Sequence, residues 1–364
     1  MSKMKVLEVI SSLGPTGGGE TFAVNLSREL SELVDLKVVI LFKNYKQFFI
    51  ERLLEKGIQP IILNKKKHFD LKNAKELRKI INEFKPDVIH TENNALIPTY
   101  LALRKTAYKK SINVFHTMHL MPKDECSNTL VRILYKHILK KKNYIPVAIT
   151  KNLSIVSSKF YSRENVPFVN NGVDLAPFKN EKKLKDRKYD IVVVGRFSLE
   201  KNHVFLIKAF ARLKEIIPNI SIALVGSGEL FDQVKQMAVD LGVSENTLFT
   251  GVLNSPAEIV NDSKIIVLGS LFEANPLSLL EGMHSGCVVV STDVGGVADI
   301  IHEPENGFLF NVNDEDAFIQ IITKILGDID GYEPVREHNS QYSNNFSMKK
   351  CAKDYYDLFV GFDR

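Results

Sequence analysis

The sequence predicts an α/β protein made of two domains, each a doubly wound parallel sheet covered by helices, and three observations predict it. Short apolar runs alternate with segments of helical period along the chain, the signature of βαβ units. The alternation restarts after the turn Asn170-Asn171-Gly172. At 364 residues with 45% hydrophobic content, the chain is long enough to fill a core in each half. The expected divisions are a first domain over 1–170, a second over 171–345, and a terminal segment over 346–364 whose apolar period begins after the polar stretch 328–345.

The elements follow in order. In the first half KVLEVI, VVILF at 38–42, PIIL and DVIH at 87–90 read as buried strands, separated by helical segments at 20–33, 47–56 and 70–84. SINVF ends a further apolar run at Phe115, and 131–144 is amphipathic. In the second half DIVVVG at 190–195, SIALVG at 221–226, KIIVLG at 264–269 and CVVVST at 287–292 read as strands. Helices are expected near 202–216 and 229–241 and from about 276. In sheets of this kind ligands bind outside the carboxyl ends of the strands, so two such sheets facing one another would hold a ligand in the cleft between them.

Composition narrows the class. The first thirteen residues carry Lys3, Lys5 and Glu8 around a short apolar run, too short and too charged for a signal peptide or a membrane span. Cys126, Cys287 and Cys351 are few, odd in number and unlike a metal-ligand set, which points to a reducing compartment and makes the cytoplasm the expected location. Net charge is +5, but residues 1–170 hold 29 Lys and Arg against 15 Asp and Glu, whereas 171–364 hold 19 against 28. The halves therefore face different partners, and the basic half suits an anionic membrane surface, with no indication of nucleic acid. On 131–144, Arg132, Lys136 and Lys140 form a basic stripe beside an apolar one of Val131, Leu134 and Ile138, an arrangement that suits either a membrane surface or an ordinary helix whose apolar stripe packs on the core.

Several residues can carry chemistry. Gly17-Gly18-Gly19-Glu20 follows the first strand and opens a helix, where glycine admits close approach of a ligand and free amides attract phosphate. Arg196 and Lys201 follow the strand 190–195, a guanidinium and an ammonium suited to a departing diphosphate. After the strand 264–269 comes Glu273-Ala-Asn-Pro-Leu-Ser-Leu-Leu-Glu281. Here Asn275 can cap, Pro276 can take the first helical position, and the amides of Leu277 and Ser278 are left to a ligand. The two carboxylates suit paired sugar hydroxyls. His116 and His119 end the SINVF run, and His119 is preferred for the site. Asp314-Glu-Asp316 and Asp328-Ile-Asp330 lie in polar stretches, so no metal is expected; nor is a dinucleotide, because Gly226-Ser227-Gly228 lacks the third glycine of that fingerprint.

Together these residues resemble glycosyltransferase family 4 over nearly the whole chain. The resemblance rests on Gly18-Gly19-Glu20, Phe115-His-Thr-Met-His119, Asn171-Gly-Val-Asp174, Gly195-Arg-Phe-Ser-Leu-Glu-Lys201, the Glu-x7-Glu pair Glu273 and Glu281, and Asn306-Gly-Phe-Leu. It implies the GT-B fold and a metal-independent, retaining transfer of a sugar from a nucleotide diphosphate donor, most readily a UDP-sugar, to a glycan or lipid-linked acceptor in envelope synthesis. It further implies that Arg196 and Lys201 hold the diphosphate, Glu281 the ribose, the backbone at Gly251 and Val252 the base, and Glu273 with 275–278 the transferred sugar. His119 would contact that sugar, and 346–364 would return to the first domain. The chain departs from the pattern at Asn202-His203, where a glycine is frequent, and at Gly286-Cys287, where Gly-x-Pro is common. An epimerase or hydrolase on the same fold would need more acid/base carboxyls than are evident, and a non-catalytic subunit would not need Arg196, Lys201, Glu273 and Glu281 all present.

Overall fold

The computed structural model describes residues 3–14, 18–65, 71–123, 128–273 and 276–362, so Gly17, Lys66, Lys67, Cys126 and Asn275 lie outside the described residues. The chain divides into two compact units: 1–172 with 348–364, and 173–347.

The first unit is a six-stranded parallel sheet ordered β3-β2-β1-β4-β5-β6. Its elements are β1 (Lys5–Ile10), α1 (Gly18–Leu33), β2 (Asp35–Phe42), α2 (Gln47–Leu54), β3 (Ile61–Lys65), α3 (Leu71–Phe84), β4 (Val88–Glu92), α4 (Leu96–Leu103), β5 (Asn113–Met118), α5 (Thr129–Leu139), β6 (Tyr144–Ala148) and α6 (Lys151–Tyr161). The central strands are buried on both faces, which is why they read as continuous apolar runs. The strand order reverses between β1 and β4, and there the connections leave the paired strand ends towards opposite faces of the sheet, which opens a crevice suited to a ligand.

The second unit repeats the design with β7 (Tyr189–Val194), α7 (His203–Ile216), β8 (Ile222–Val225), α8 (Phe231–Asp240), β9 (Thr247–Gly251), α9 (Ala257–Asn261), β10 (Ser263–Leu268), α10 (Leu277–His284), β11 (Val288–Thr292), β12 (Gly307–Phe310), α11 (Glu315–Gly327) and α12 (Glu333–Tyr342). Its order is β12-β11-β10-β7-β8-β9, reversing between β7 and β10.

The last helix, α13 (Met348–Gly361), belongs to the first unit. Cys351, Tyr355 and Phe359 recur every four residues, and with Met348 and Ala352 they are buried with Phe22, Leu26 and Leu30 of α1. Gly172 is where the chain passes the start of this helix: a Cβ there would lie 2.6 Å from the Met348 Cα, so only glycine fits.

Helix α5 turns its apolar stripe to the core, one of the two readings its pattern allowed. Ile138 is fully buried, and Val131 and Leu134 pack against the first unit's core, so the anticipated apolar stripe faces inward. The side chains in water are instead Leu130, 75% exposed, and Ile133, 61% exposed. Of the basic stripe, Lys136 is half-buried over the Phe160 ring at 5.0 Å, Arg132 donates to the Lys123 carbonyl at 3.0 Å, and Lys140 is exposed. The core takes Tyr135, Ile138 and Leu139, which turns Leu130 and Ile133 outward. Among the described residues no helix is long and apolar enough to cross a membrane.

Candidate active site

Both units carry a group of polar residues where the strand order reverses. In the second unit, β7 ends at Val194 and the chain turns through Gly195 and Arg196 to Lys201. Gly226, after β8, has φ +134°, and a Cβ on it would lie 1.9 Å from the Gly195 carbonyl oxygen. A Cβ on Gly228 would lie 2.5 Å from the Phe197 carbonyl oxygen. Gly226 also donates to the Gly251 carbonyl at 2.9 Å, so the ends of β7, β8 and β9 form one glycine-lined rim. Val252 stands on that rim, 79% exposed. Asn202 adopts the left-handed conformation at φ 55°, which accounts for a glycine at this position in the family pattern: asparagine tolerates that region better than other side chains.

Across the reversal, after β10, Glu273 is almost wholly buried and ion-paired to Lys201 Nζ. Its Oε1 also accepts from the Ser270 hydroxyl at 2.7 Å. The backbone is fixed as firmly. Leu271 donates to the Glu200 carbonyl at 2.7 Å, Thr292 Oγ1 donates to the Ser270 carbonyl at 2.7 Å, and Gly296 donates to the Glu273 carbonyl at 3.0 Å. Gly295 makes that last approach possible: at φ +55° its Cβ would sit 1.9 Å from the Glu273 oxygen. Arg196, by contrast, is 72% exposed along its side chain and paired at 3.2 Å with Glu229.

Helix α10 opens at Leu277, one residue later than expected, because Pro276 has ψ 76° and stands just outside the helix. By helix geometry the amides of Leu277 and Ser278 lack upstream carbonyls. Glu281 follows one turn on, half-buried, and burial together with the Asp174 carboxylate pushes its carboxyl up to about 8. Glu281 is therefore mostly neutral at pH 7.

In the first unit, Gly19 at the start of α1 lies against Asn93 and His119. A Cβ on Gly19 would be 3.0 Å from Asn93 Oδ1 and 3.7 Å from His119 Cδ2. Gly18 beside it is exposed. Asn93 follows β4 with φ 54°, and its Nδ2 is buried without a hydrogen-bond partner among the described residues. His119 follows β5, its Nε2 is 2.7 Å from Glu92 Oε2, and its ring meets Phe22 edge-on at 5.3 Å. His116 is elsewhere: fully buried, Nδ1 is 2.9 Å from Thr91 Oγ1, and desolvation lowers it to about 3, so it is a neutral core residue.

Glu8, His90 and Glu92 gather beneath His119 with ligand atoms within 4.8 Å of one another, all buried. His90 Nδ1 engages Glu8 Oε2 at 2.8 Å and its Nε2 engages Thr117 Oγ1 at 2.7 Å, so both ring nitrogens are already committed to hydrogen bonds. The aspartate pairs of the second unit have structural partners: Asp314 caps α11, Asp316 pairs with Arg212, and Asp330 pairs with Lys185. Sequence reasoning missed Glu92, Asn93, Ser270 and Gly295. Only Val294-Gly-Gly offered a signal, as a turn requiring positive φ.

Comparison with known proteins agrees with this arrangement. A family model described as Glycosyltransferase Family 4 matches residues 16–177, and one described as Glycosyl transferases group 1 matches residues 176–345. The UDP-Gal:alpha-D-GlcNAc-diphosphoundecaprenol alpha-1,3-galactosyltransferase of Escherichia coli is 25% identical over 310 residues, covering 80% of this chain and 79% of its own. The N-acetylgalactosamine-N,N'-diacetylbacillosaminyl-diphospho-undecaprenol 4-alpha-N-acetylgalactosaminyltransferase of Campylobacter jejuni is 26% identical over 274 residues, 72% of this chain and 74% of its own. Among solved structures, the Anabaena protein HepE in complex with UDP superposes with a TM-score of 0.81 at 17% identity, over 98% of this chain and 100% of that one. With two sheets of matching topology and family models spanning 16–345, the chain is a GT-B glycosyltransferase and belongs to glycosyltransferase family 4, the group 1 transferases.

Proposed function

We propose that the chain transfers a hexosyl or N-acetylhexosaminyl group from a UDP-sugar, with retention of configuration and without a metal, to a glycan or lipid-linked acceptor of the cell envelope. The observation that carries this reading is the Lys201–Glu273–Ser270 group at the reversal of the second sheet, with Arg196 on the same loop as Lys201. An ammonium and a guanidinium at a strand end supply the positive charge that a departing nucleoside diphosphate needs, the role a divalent cation plays in other transferases. Diphosphate oxygens would compete with Glu273 for Lys201, and the released carboxylate would then accept from hydroxyls of the transferred sugar. Glu281, Gly251 and Val252 would meet ribose and base, and the amides of 277–278 would meet sugar or phosphate oxygens. Retention follows in this scheme from acceptor attack on the face the diphosphate leaves, the diphosphate itself taking the acceptor proton.

The names of the Escherichia coli and Campylobacter jejuni relatives contain undecaprenol diphosphates, which supports a lipid-linked acceptor here. Leu130 and Ile133, exposed on α5, with Lys140 and Lys142 exposed past its C-terminal end, suit shallow insertion into an anionic membrane where such an acceptor resides. The test is a thermal-shift panel of UDP, GDP, ADP and CMP, followed by transfer from labelled UDP-sugars to lipid diphosphate acceptors. UDP at about a hundred times its dissociation constant should stabilise by roughly 2.7 kcal/mol. No shift with UDP alongside one with another nucleotide would overturn the donor assignment.

A further inference from the structure

We propose that the cleft between α3 and α4 is a phosphate site that takes the headgroup of an anionic phospholipid, so that the first unit grips a lipid at one defined place. The site lies apart from the transfer chemistry proposed above and adds a headgroup contact to the membrane reading of α5. Helices α3 and α4 flank a cavity of about 460 Å³ lined by Lys75 and Arg78 of α3, Arg104 and Lys105 just past the end of α4, and Ala74 and Leu101. That volume falls within the roughly 300–1,000 Å³ of small-molecule sites. Four cations therefore stand around one cavity, and no carboxylate is in its lining.

The fold itself does not account for these charges. Among the described residues none of the four pairs with a carboxylate. The acids of α3 are elsewhere: Glu83 pairs with Lys79 at 3.7 Å, and Glu76 is not part of the lining. The α4 side has no acid to offer, because residues 93–123 contain Arg104, Lys105, Lys109, Lys110 and Lys123 and no Asp or Glu. Arg104 and Lys105 complement the negative end of α4, but Lys75 and Arg78 lie mid-helix, where the dipole gives cations no such gain. Like charges gathered around a cavity repel one another, and an anion seated among them removes that cost.

The arrangement suits a phosphate carried on a lipid. Arg78 is half-buried and its Nε donates to the Ala102 carbonyl at 3.1 Å, which ties the guanidinium to α4 and leaves its Nη groups for phosphate oxygens. Arg104 lies over the Tyr100 ring at 5.9 Å, and Lys141, past the end of α5, lies over the same ring at 6.0 Å. Tyr100 thus joins the cavity to the basic end of α5. Helices α3, α4 and α5 also rest on one apolar core, in which Leu77, Ile97 and Ile138 are buried together. The helix layer that bears the cavity therefore also bears Leu130 and Ile133, both exposed. That continuity, with the apolar Ala74 and Leu101 in the lining, favours a lipid headgroup over a free phosphate.

The test is sedimentation of the full-length protein at low salt with phosphatidylcholine vesicles carrying either phosphatidylglycerol or, at the same surface charge, oleate. The wild type should prefer phosphatidylglycerol, because oleate brings charge without a further phosphate. Lys75→Gln with Arg104→Gln, one change from each side of the cavity, should weaken that binding about tenfold or more, the scale of a lost hydrogen bond to a charged group. Lys109→Gln with Lys110→Gln removes two charges from the same acid-free run outside the cavity and should cost about threefold or less. All four side chains are exposed, so unchanged melting curves will show that both variants fold. Equal losses in the two variants, or equal binding to the two kinds of vesicle, would reveal diffuse attraction and overturn the site. In Leu130→Gln with Ile133→Gln the preference for phosphatidylglycerol should persist even where total binding falls, and its disappearance would also overturn the site. Calorimetry with inorganic phosphate separates the sources of the ligand. Phosphate bound by the wild type and lost in Lys75→Gln with Arg104→Gln, without binding to phosphatidylglycerol vesicles, would replace the lipid by a free phosphate, and binding of neither would overturn both.

Discussion

Glu281→Gln tests whether the second unit holds a neutral carboxyl next to its proposed nucleotide site. Burial first, and the Asp174 carboxylate second, move Glu281 from 4.5 to about 8. Each pH unit corresponds to about 1.4 kcal/mol, so ionising the group in the fold costs at most about 5 kcal/mol. Its side chain is only half-buried, and solvent screening reduces this to roughly 2–3 kcal/mol. Below pH 4.5 the carboxyl is protonated in folded and unfolded chains alike. Between 4.5 and 8 the unfolded chain has released a proton that the folded chain keeps, so stability declines as pH rises, and the loss is complete above 8. Glutamine is neutral throughout. The melting temperatures of wild type and Glu281→Gln should therefore coincide near pH 5 and separate towards pH 8.5, the variant ending about 5–10 °C higher for a unit of this size. Asp174→Asn removes the second cause and should make the final separation smaller, with the plateau reached at a lower pH. A difference that stays constant from pH 5 to 9, or a glutamine variant less stable at every pH, would refute the reasoning.

Four further outcomes follow from the same geometry. Lys201→Ala or Arg196→Ala should lower turnover by about 10²-fold or more without unfolding the protein, and near-normal rates in both would remove them from the leaving-group role. Activity should persist in EDTA, and loss that Mg²⁺ or Mn²⁺ restores would contradict the metal-free reading. Gly295→Ala places a methyl against the Glu273 carbonyl oxygen at positive φ, so the rate of transfer should fall more than about tenfold while UDP binding, measured by calorimetry, changes little. Leu130→Gln with Ile133→Gln should weaken sedimentation with anionic vesicles at low salt, and unaltered binding, or none by the wild type, would remove α5 as a membrane contact.

The double-sheet architecture was legible because parallel strands are buried on both faces and each apolar run stands out against its helices. β4 and β10 were plain in DVIH and KIIVLG. The elements that escaped were ones whose patterns conflict with the expected period. Helix α4 is apolar on nearly every position, with Leu96, Ile97, Pro98, Thr99, Ala102 and Leu103 all buried, so it shows no amphipathic stripe. Strands β9 and β12 are short and border a sheet edge. The side of the stripe on α5 stayed open between membrane and core for a related reason: period identifies which residues share a face, but the core alone decides which face turns inward.

The candidate site was legible to the extent that its chemistry is local in sequence. Lys201 and Glu273 announce themselves because each follows a strand at an interval that leaves it on a loop, and strand order then brings those two loops together. Glu92 gives no such sign: it ends an apolar run as an ordinary acidic residue, 27 positions from the histidine it meets. Only the adjacency of β4 and β5, with His119 falling just past the end of β5, turns that separation into a 2.7 Å contact. Glu8 is hidden more deeply, because a single acidic residue inside KVLEVI looks like the polar side of a half-exposed strand. Its partner His90 lies 82 positions away and becomes visible once β1 and β4 are paired in register. A charge placed in the middle of a wholly buried strand must have a partner on the neighbouring strand or the fold would lose several kcal/mol. Glu8 in a central strand therefore carried the information that a buried histidine or a cation stood beside it, and strand order was the missing premise.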